Sequence, residues 1–178
     1  MLEFVGWAAL VLGALAGAIA LIASRRPAAF TSARTLRINA TPERLFPLIN
    51  DLKSMNSWNP FVLRDPAIKG HYSGPVSGPG ARYTFESKKS GTGRCEITEA
   101  AAPSKVVMQL EMVRPIQASN RVTMSIVPAG DATDVTWSMS GERPLTGKIM
   151  SLFVDWDKMM GREFETGLAN LKAIAERG

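Results

Sequence analysis

The sequence predicts an α+β domain, a strongly curved antiparallel β-sheet wrapped around a long C-terminal helix. Two short helices follow the first strand, and one transmembrane helix precedes the whole. Three observations carry this reading. Consecutive segments between Ala81 and Ser140 alternate apolar and polar residues. From Thr146 onward the apolar residues recur every three or four positions. Phe4–Ala23 contains neither a charged residue nor a proline.

Composition bounds the alternatives. In 178 residues the apolar fraction is 46% and the charged fraction 21%, which excludes a disordered or collagen-like chain. Lys and Arg number 21 against 16 Asp and Glu, a net charge of +5. The only Lys-Lys pair is Lys88-Lys89, with no aromatics interleaved. Nucleic-acid binding wants a clustered basic stripe, so it is not expected. One Cys gives no internal disulfide or cysteine zinc site, and one His gives no histidine cluster. No metal and no cofactor is expected.

The run Phe4–Ala23 is long enough to span a bilayer as a helix. Glu3 precedes it, and Ser24-Arg25-Arg26-Pro27 closes it. A cleavable signal peptide would have a basic start, a shorter apolar core and a small-residue cleavage site, so an uncleaved anchor over 1–26 is the better reading. Arg25, Arg26, Arg34 and Arg37 all lie on its C-terminal side. The positive-inside rule then places the N-terminus outside and the rest of the chain in the cytoplasm. Gly13 and Gly17 match the GxxxG helix-pairing pattern, a match that an Ala/Gly-rich span meets easily. The oligomeric state stays open.

Residues 27–32 are small and polar and read as a linker, leaving 33–178 as the domain. Ala33–Asn39 alternates like a strand. Thr41-Pro42 starts a helix, with Thr as N-cap and Pro at the first helical position. That helix carries Leu45, Phe46, Leu48 and Ile49 and ends near Asn50-Asp51. A second short helix covers Leu52 to Trp58, and Asn59-Pro60 breaks it. Pro66–Gly80 is rich in Gly and Pro and reads as turn material.

The strand candidates follow. Ala81–Ser87 puts Tyr83 and Phe85 on one face, and Gly93–Glu99 does the same with Cys95 and Ile97. Lys105–Val113 aligns Val106, Met108, Leu110 and Met112. Asn120–Pro128 points Val122, Met124 and Ile126 inward, and Thr133–Ser140 points Val135, Trp137 and Met139 inward. Their outward partners are largely polar, the pattern of an antiparallel sheet with one wet face. From Thr146, the stripe Ile149, Phe153, Trp156, Met160, Phe164, Leu168 and Leu171 predicts one amphipathic helix of roughly 30 residues.

This order of elements resembles the helix-grip, START-like fold of the SRPBCC superfamily, the polyketide cyclase/dehydrase and lipid-transport-like group. Local segments resemble it too. They are Thr41-Pro42-Glu43-Arg44-Leu45-Phe46, the aromatic and proline segment Asp51–Phe61 with Trp58-Asn59-Pro60, the Gly-led strand Gly91–Glu99, and the C-terminal helix from Asp157 to Lys172. The likeness covers about residues 33–176. It implies a deep apolar cavity between the sheet and the C-terminal helix. Candidate lining residues are Trp58, Tyr83, Phe85, Met108, Leu110, Met112, Met124, Trp137, Met139, Phe153, Trp156 and Met160. The nine Met are in keeping with an adaptable wall, although each of these residues could equally fill a core.

Groups suited to catalysis are scarce. His71 reads as a loop histidine, and Cys95 as a buried structural thiol with no His nearby in sequence. Asp155 and Asp157 would face different sides of a helix. Arg82, Arg94 and Arg121 fall on the outer face. No residue is singled out as catalytic. The expected function is a membrane-anchored domain that binds a hydrophobic small molecule or lipid, with the membrane engaged through residues 4–23. The alternatives are a cyclase, dehydratase or hydrolase-type enzyme and a membrane-associated interaction module with a filled core.

Overall fold

The computed structural model describes residues 2–177; the side chains of residues 2–5, 8, 9, 11 and 16 lie outside the description. Helix α1 (Leu2–Ser24) leads into strand β1 (Ala29–Ile38). Three short helices follow: α2 (Pro42–Asn50), α3 (Leu52–Asn56) and α4 (Pro60–Leu63). Strands β2 (Lys69–Ser73), β3 (Arg82–Ser87), β4 (Gly91–Ala101), β5 (Lys105–Arg114), β6 (Ala118–Ala129) and β7 (Ala132–Glu142) come next. The chain ends with α5 (Leu145–Met150) and α6 (Trp156–Ala175). The strands form one seven-stranded antiparallel sheet in the order β1-β7-β6-β5-β4-β3-β2. The α+β architecture with a long helix on the sheet is the expected one.

Local chemistry explains the short helices. Pro42 occupies the first turn of α2, and Thr41 caps it in extended backbone without a side-chain hydrogen bond. Asp51 starts α3 by accepting from the Lys53 and Ser54 amides. Asn59 starts α4 by accepting from the Phe61 amide, with Pro60 at the first helical position. Asn59-Pro60 therefore ends one helix and begins another, so three short helices stand where two were expected.

Strand β1 begins at Ala29, inside the stretch read as a linker. Residues 29–32 carry no alternation of their own, and pairing with β7 makes them a strand. Strand β2 lies in the segment read as turns. Its residues are mostly exposed, so no apolar period marks it, and it exists as an edge strand because β3 pairs with it. Gly74 closes that hairpin at φ +81°, and a Cβ there would sit 2.3 Å from the Gly80 carbonyl oxygen.

The C-terminal helix is shorter than the stripe suggested. Residues 151–155 interrupt it, and Asp155 starts α6 afresh by accepting from the Lys158 amide at 3.0 Å. Ile149 and Phe153 share the spacing of the stripe without sharing its helix. Phe153 is 74% exposed. On α6 the buried face is Gly161, Phe164, Gly167, Leu168, Leu171 and Ala175. Each large apolar side chain buried there contributes roughly 1.5–3 kcal/mol.

At the N-terminus, α1 is helical, with Trp7, Leu10, Leu12, Leu15, Leu21 and Ile22 exposed. Among the described residues, no helix is long and apolar enough to cross a membrane. The expected transmembrane helix is therefore not shown, and part of residues 4–23 lies outside the described side chains. A Cβ built on Gly13 or Gly17 would meet nothing within 4 Å among the described residues outside the helix's own backbone.

Candidate functional site

The register of the sheet brings apolar residues from six strands into rows on the face that α6 covers. One row runs Phe30, Gly141, Asn120, Leu110, Cys95 and Tyr83. The next, deeper row runs Ser32, Met139, Val122 and Met108. Toward the edge lie Ala118, Met112, Gly93 and Phe85. Trp156, Met160 and Phe164 face them from α6, and Leu52, Met55, Phe61 and Val62 from the short helices. Between them is a cavity of about 410 Å³, within the range of small-molecule sites. Its exposed lining residues are Thr31, Pro115, Glu142, Pro144 and Asp157, which set the opening at the α5 end.

The inner wall is held by aromatic packing. Trp137 stacks on Phe164 with ring centroids 4.8 Å apart, and Trp58 meets it edge-on at 5.6 Å. Gly167 lets α6 come this close, since a Cβ there would lie 2.5 Å from the Trp137 ring. Tyr83 and Phe85 stack at 5.9 Å on the opposite wall.

Charged groups gather at the opening. Ser32 donates to Asp157 at 2.7 Å, and Arg34 bridges Asp157 at 3.1 Å and Glu165 at 3.0 Å. The Ser32 hydroxyl first, and the Arg34 guanidinium second, hold the Asp157 carboxyl below its ordinary range. The Arg143 guanidinium lies 4.8 Å from the centre of the Phe30 ring. Inside, burial pushes the Cys95 thiol up to about 12, which makes it a poor nucleophile.

Of the residues offered by the sequence, Tyr83, Phe85, Met108, Leu110, Met112, Trp137, Met139, Trp156 and Met160 line the cavity. Trp58 and Met124 are fully buried core residues instead, and the Trp58 indole donates to the Leu48 carbonyl at 2.9 Å. Phe153 projects outward, because the helix breaks before it could turn inward. His71 sits on β2 beside Thr84, outside the lining. Arg82, Arg94 and Arg121 pair with Glu96, Glu111 and Glu99 across the strands, away from the lining. Among the described residues, no group of His, Cys, Asp or Glu could hold a metal ion.

Sequence reasoning missed Phe30, Asn120, Phe61 and Val62 as lining residues. Asn120 was findable. It lies two residues before Val122 and four before Met124, so the same alternation turns it inward.

The chain matches the family described as polyketide cyclase/dehydrase and lipid transport over residues 29–176. No curated protein matches its sequence. Its fold is similar to that of a Chromobacterium violaceum protein of known crystal structure, at 14% identity and TM-score 0.61, covering 83% of this chain and 98% of that one. It is also similar to the Aha1 dimer from Colwellia psychrerythraea, at 15% identity and TM-score 0.59, covering 84% and 98%. A third similar structure is Ara h 8.0201, at 12% identity and TM-score 0.56, covering 82% and 99%. The match over β1 to α6 places the chain in the polyketide cyclase/dehydrase and lipid transport family.

Proposed function

We propose that the chain is a membrane-tethered binding or carrier domain that holds a hydrophobic small molecule or lipid in the cavity between sheet and α6. The observation that carries this reading is the 410 Å³ cavity with a wall of aromatic, Met and Leu side chains. An empty apolar space of this size forfeits packing contacts, and an apolar occupant restores them. The filled-core alternative has no place for such a space. The enzyme alternative lacks a titratable group in the inner wall other than the high-pKa Cys95 thiol and the Tyr83 hydroxyl, which burial also pushes up.

The tether is α1, a helix over Leu2–Ser24 that rises about 34 Å. Trp7, Leu10, Leu12, Leu15, Leu21 and Ile22 are exposed on it, while Ala23 is buried, and an apolar solvent would cover the exposed side chains. The Arg25 and Arg26 pair at its C-terminal end supports an outside N-terminus and a cytoplasmic domain. α1 lies against α5, and the Arg143 amide at the cavity opening donates to the Ala28 carbonyl at 2.8 Å. In this proposal the contact between α1 and α5 is what would hold the opening beside the bilayer. Exposed Leu145, Met150, Phe153 and Val154 sit at the same end.

Three measurements test the reading. Extraction of the full chain from membranes, followed by lipid mass spectrometry, should release a stoichiometric apolar molecule. Protease protection in sealed vesicles should leave the domain on the cytoplasmic side. A chain that washes off membranes with carbonate would overturn the tether.

A further inference from the structure

The cavity wall has a polar interruption that a simple hydrocarbon would leave unsatisfied. Asn120 is only 7% exposed and occupies the middle of the row Phe30, Gly141, Asn120, Leu110, Cys95 and Tyr83. Its Oδ1 is buried without a hydrogen-bond partner among the described residues. No described hydrogen bond uses its Nδ2. Gly141, its neighbour on β7, makes room for the amide: a Cβ at 141 would lie 2.3 Å from Oδ1 and 3.1 Å from the Ser119 carbonyl. Two further buried groups without partners, the indole N–H of Trp137 and that of Trp156, belong to the same lining.

A buried polar group left without a partner costs roughly 1–3 kcal/mol, so such groups are rarely kept without a use. A Leu at 120 would suit the row and carry no such cost. Asn120 belongs to the lining, and among the described residues no hydrogen bond uses either heteroatom of its amide. An amide both donates and accepts, which suits a hydroxyl or a carbonyl. A carboxylate would want a cation, and the arginines Arg34 and Arg143 sit at the rim, engaged with Asp157, Glu165 and the Phe30 ring.

We propose that Asn120 is a specificity-determining residue that selects, for this cavity, apolar molecules bearing an uncharged hydroxyl or carbonyl over plain hydrocarbons. The assignment rests on the cavity being a ligand site.

The test uses the full chain in nanodiscs, with ¹³C-methyl methionine labelling to report on Met108, Met112, Met139 and Met160. The probes are 1-dodecanol and n-dodecane, titrated into wild type and Asn120→Leu. Comparing one probe across two variants cancels its partition into the bilayer. Dodecanol should bind about tenfold more weakly to Asn120→Leu, the equivalent of one hydrogen bond. Dodecane should bind the variant as well as wild type, or better. Asn120→Ala, which adds no bulk beside Gly141, should lose the alcohol preference too. The ligand-free Asn120→Leu chain should melt at or above the wild-type temperature, because its orphan amide is gone.

Equal dodecanol affinity in wild type and both variants overturns the assignment and leaves the cavity standing; a water would then satisfy the amide. If neither probe shifts the wild-type methyls, the cavity reading itself falls, and the assignment with it.

Discussion

Gly167→Ala sets two known effects against each other at the wall between α6 and the cavity. In an exposed helix interior, Gly→Ala gains about 1 kcal/mol from helix propensity. Gly167 is buried, and its Cβ would lie 2.5 Å from Cζ3 of Trp137 and 3.0 Å from Cδ of Pro60. Carbon atoms prefer separations of about 3.5–4.0 Å. Phe164 stacks on Trp137 at 4.8 Å and Trp58 abuts it at 5.6 Å, so the ring is held on two sides. Either the helix moves off the sheet or the ring is pushed toward the cavity, and both lose packing. Overpacking of this kind costs about 1–3 kcal/mol, so the net effect is a destabilisation of about 1 kcal/mol. For a domain of this size that lowers Tm by roughly 2–4 °C. Gly161→Ala is the comparison. Its Cβ would run into the Arg34 guanidinium, the end of a flexible side chain. Arg34 can swing away at the expense of exposed ion pairs worth about 0–1 kcal/mol, so this variant should stay near wild type. The assay is thermal and urea unfolding of both variants. A Gly167→Ala chain as stable as wild type, or more stable, would refute the claim that α6 is wedged against Trp137.

Other substitutions separate wall, core and surface. Phe164→Ala removes a fully buried ring and should cost about 3–5 kcal/mol in urea unfolding, whereas Phe153→Ala, on an exposed ring, should stay within about 0.5 kcal/mol. The Cys95 thiol, pushed up to about 12 by burial, should react with a thiol reagent at pH 8 far more slowly than the unfolded chain does, and bound dodecanol should slow it further. Asp65 accepts from the Ser87 and Ser90 hydroxyls, which lower its pKa in the folded state, Ser87 first. A lowered carboxylate contributes stability above its unfolded pKa, near 3.8, and loses it as pH falls through the folded value. Asp65→Asn should therefore lower the urea midpoint at neutral pH and flatten its fall below about pH 4; an unchanged acid limb would contradict the role given to the two serines.

What was legible in the sequence was what period encodes. Strands β6 and β7 alternate cleanly because one face is buried and the other wet. In β5 the same period placed Met108, Leu110 and Met112 on one wall, although Val107 on the other face is buried as well. β2 has no such face; Lys69, Gly70, His71 and Tyr72 are exposed, and only β3 across the sheet makes them a strand. The C-terminal stripe misled for the opposite reason. Ile149, Phe153 and Trp156 keep helical spacing across a break, and the Asp155 cap that restarts the helix is a single local hydrogen bond. Lining and filling residues were inseparable by pattern. Met124 and Met139 share the inward period, yet only Met139 reaches the cavity, because depth along the sheet decides which row α6 covers.

The central claim is that the cavity is occupied by an apolar molecule. Leu110→Trp tests it most directly, since residue 110 faces the cavity beside Asn120 and the larger ring there narrows the space without touching α1. Full chains of wild type and Leu110→Trp are purified from the same cells, and native mass spectrometry counts the bound molecules. The account expects one apolar molecule on wild type and a lower occupancy on the folded variant. Equal occupancy in the two, or an unoccupied wild type that also takes up neither dodecanol nor dodecane, would contradict it.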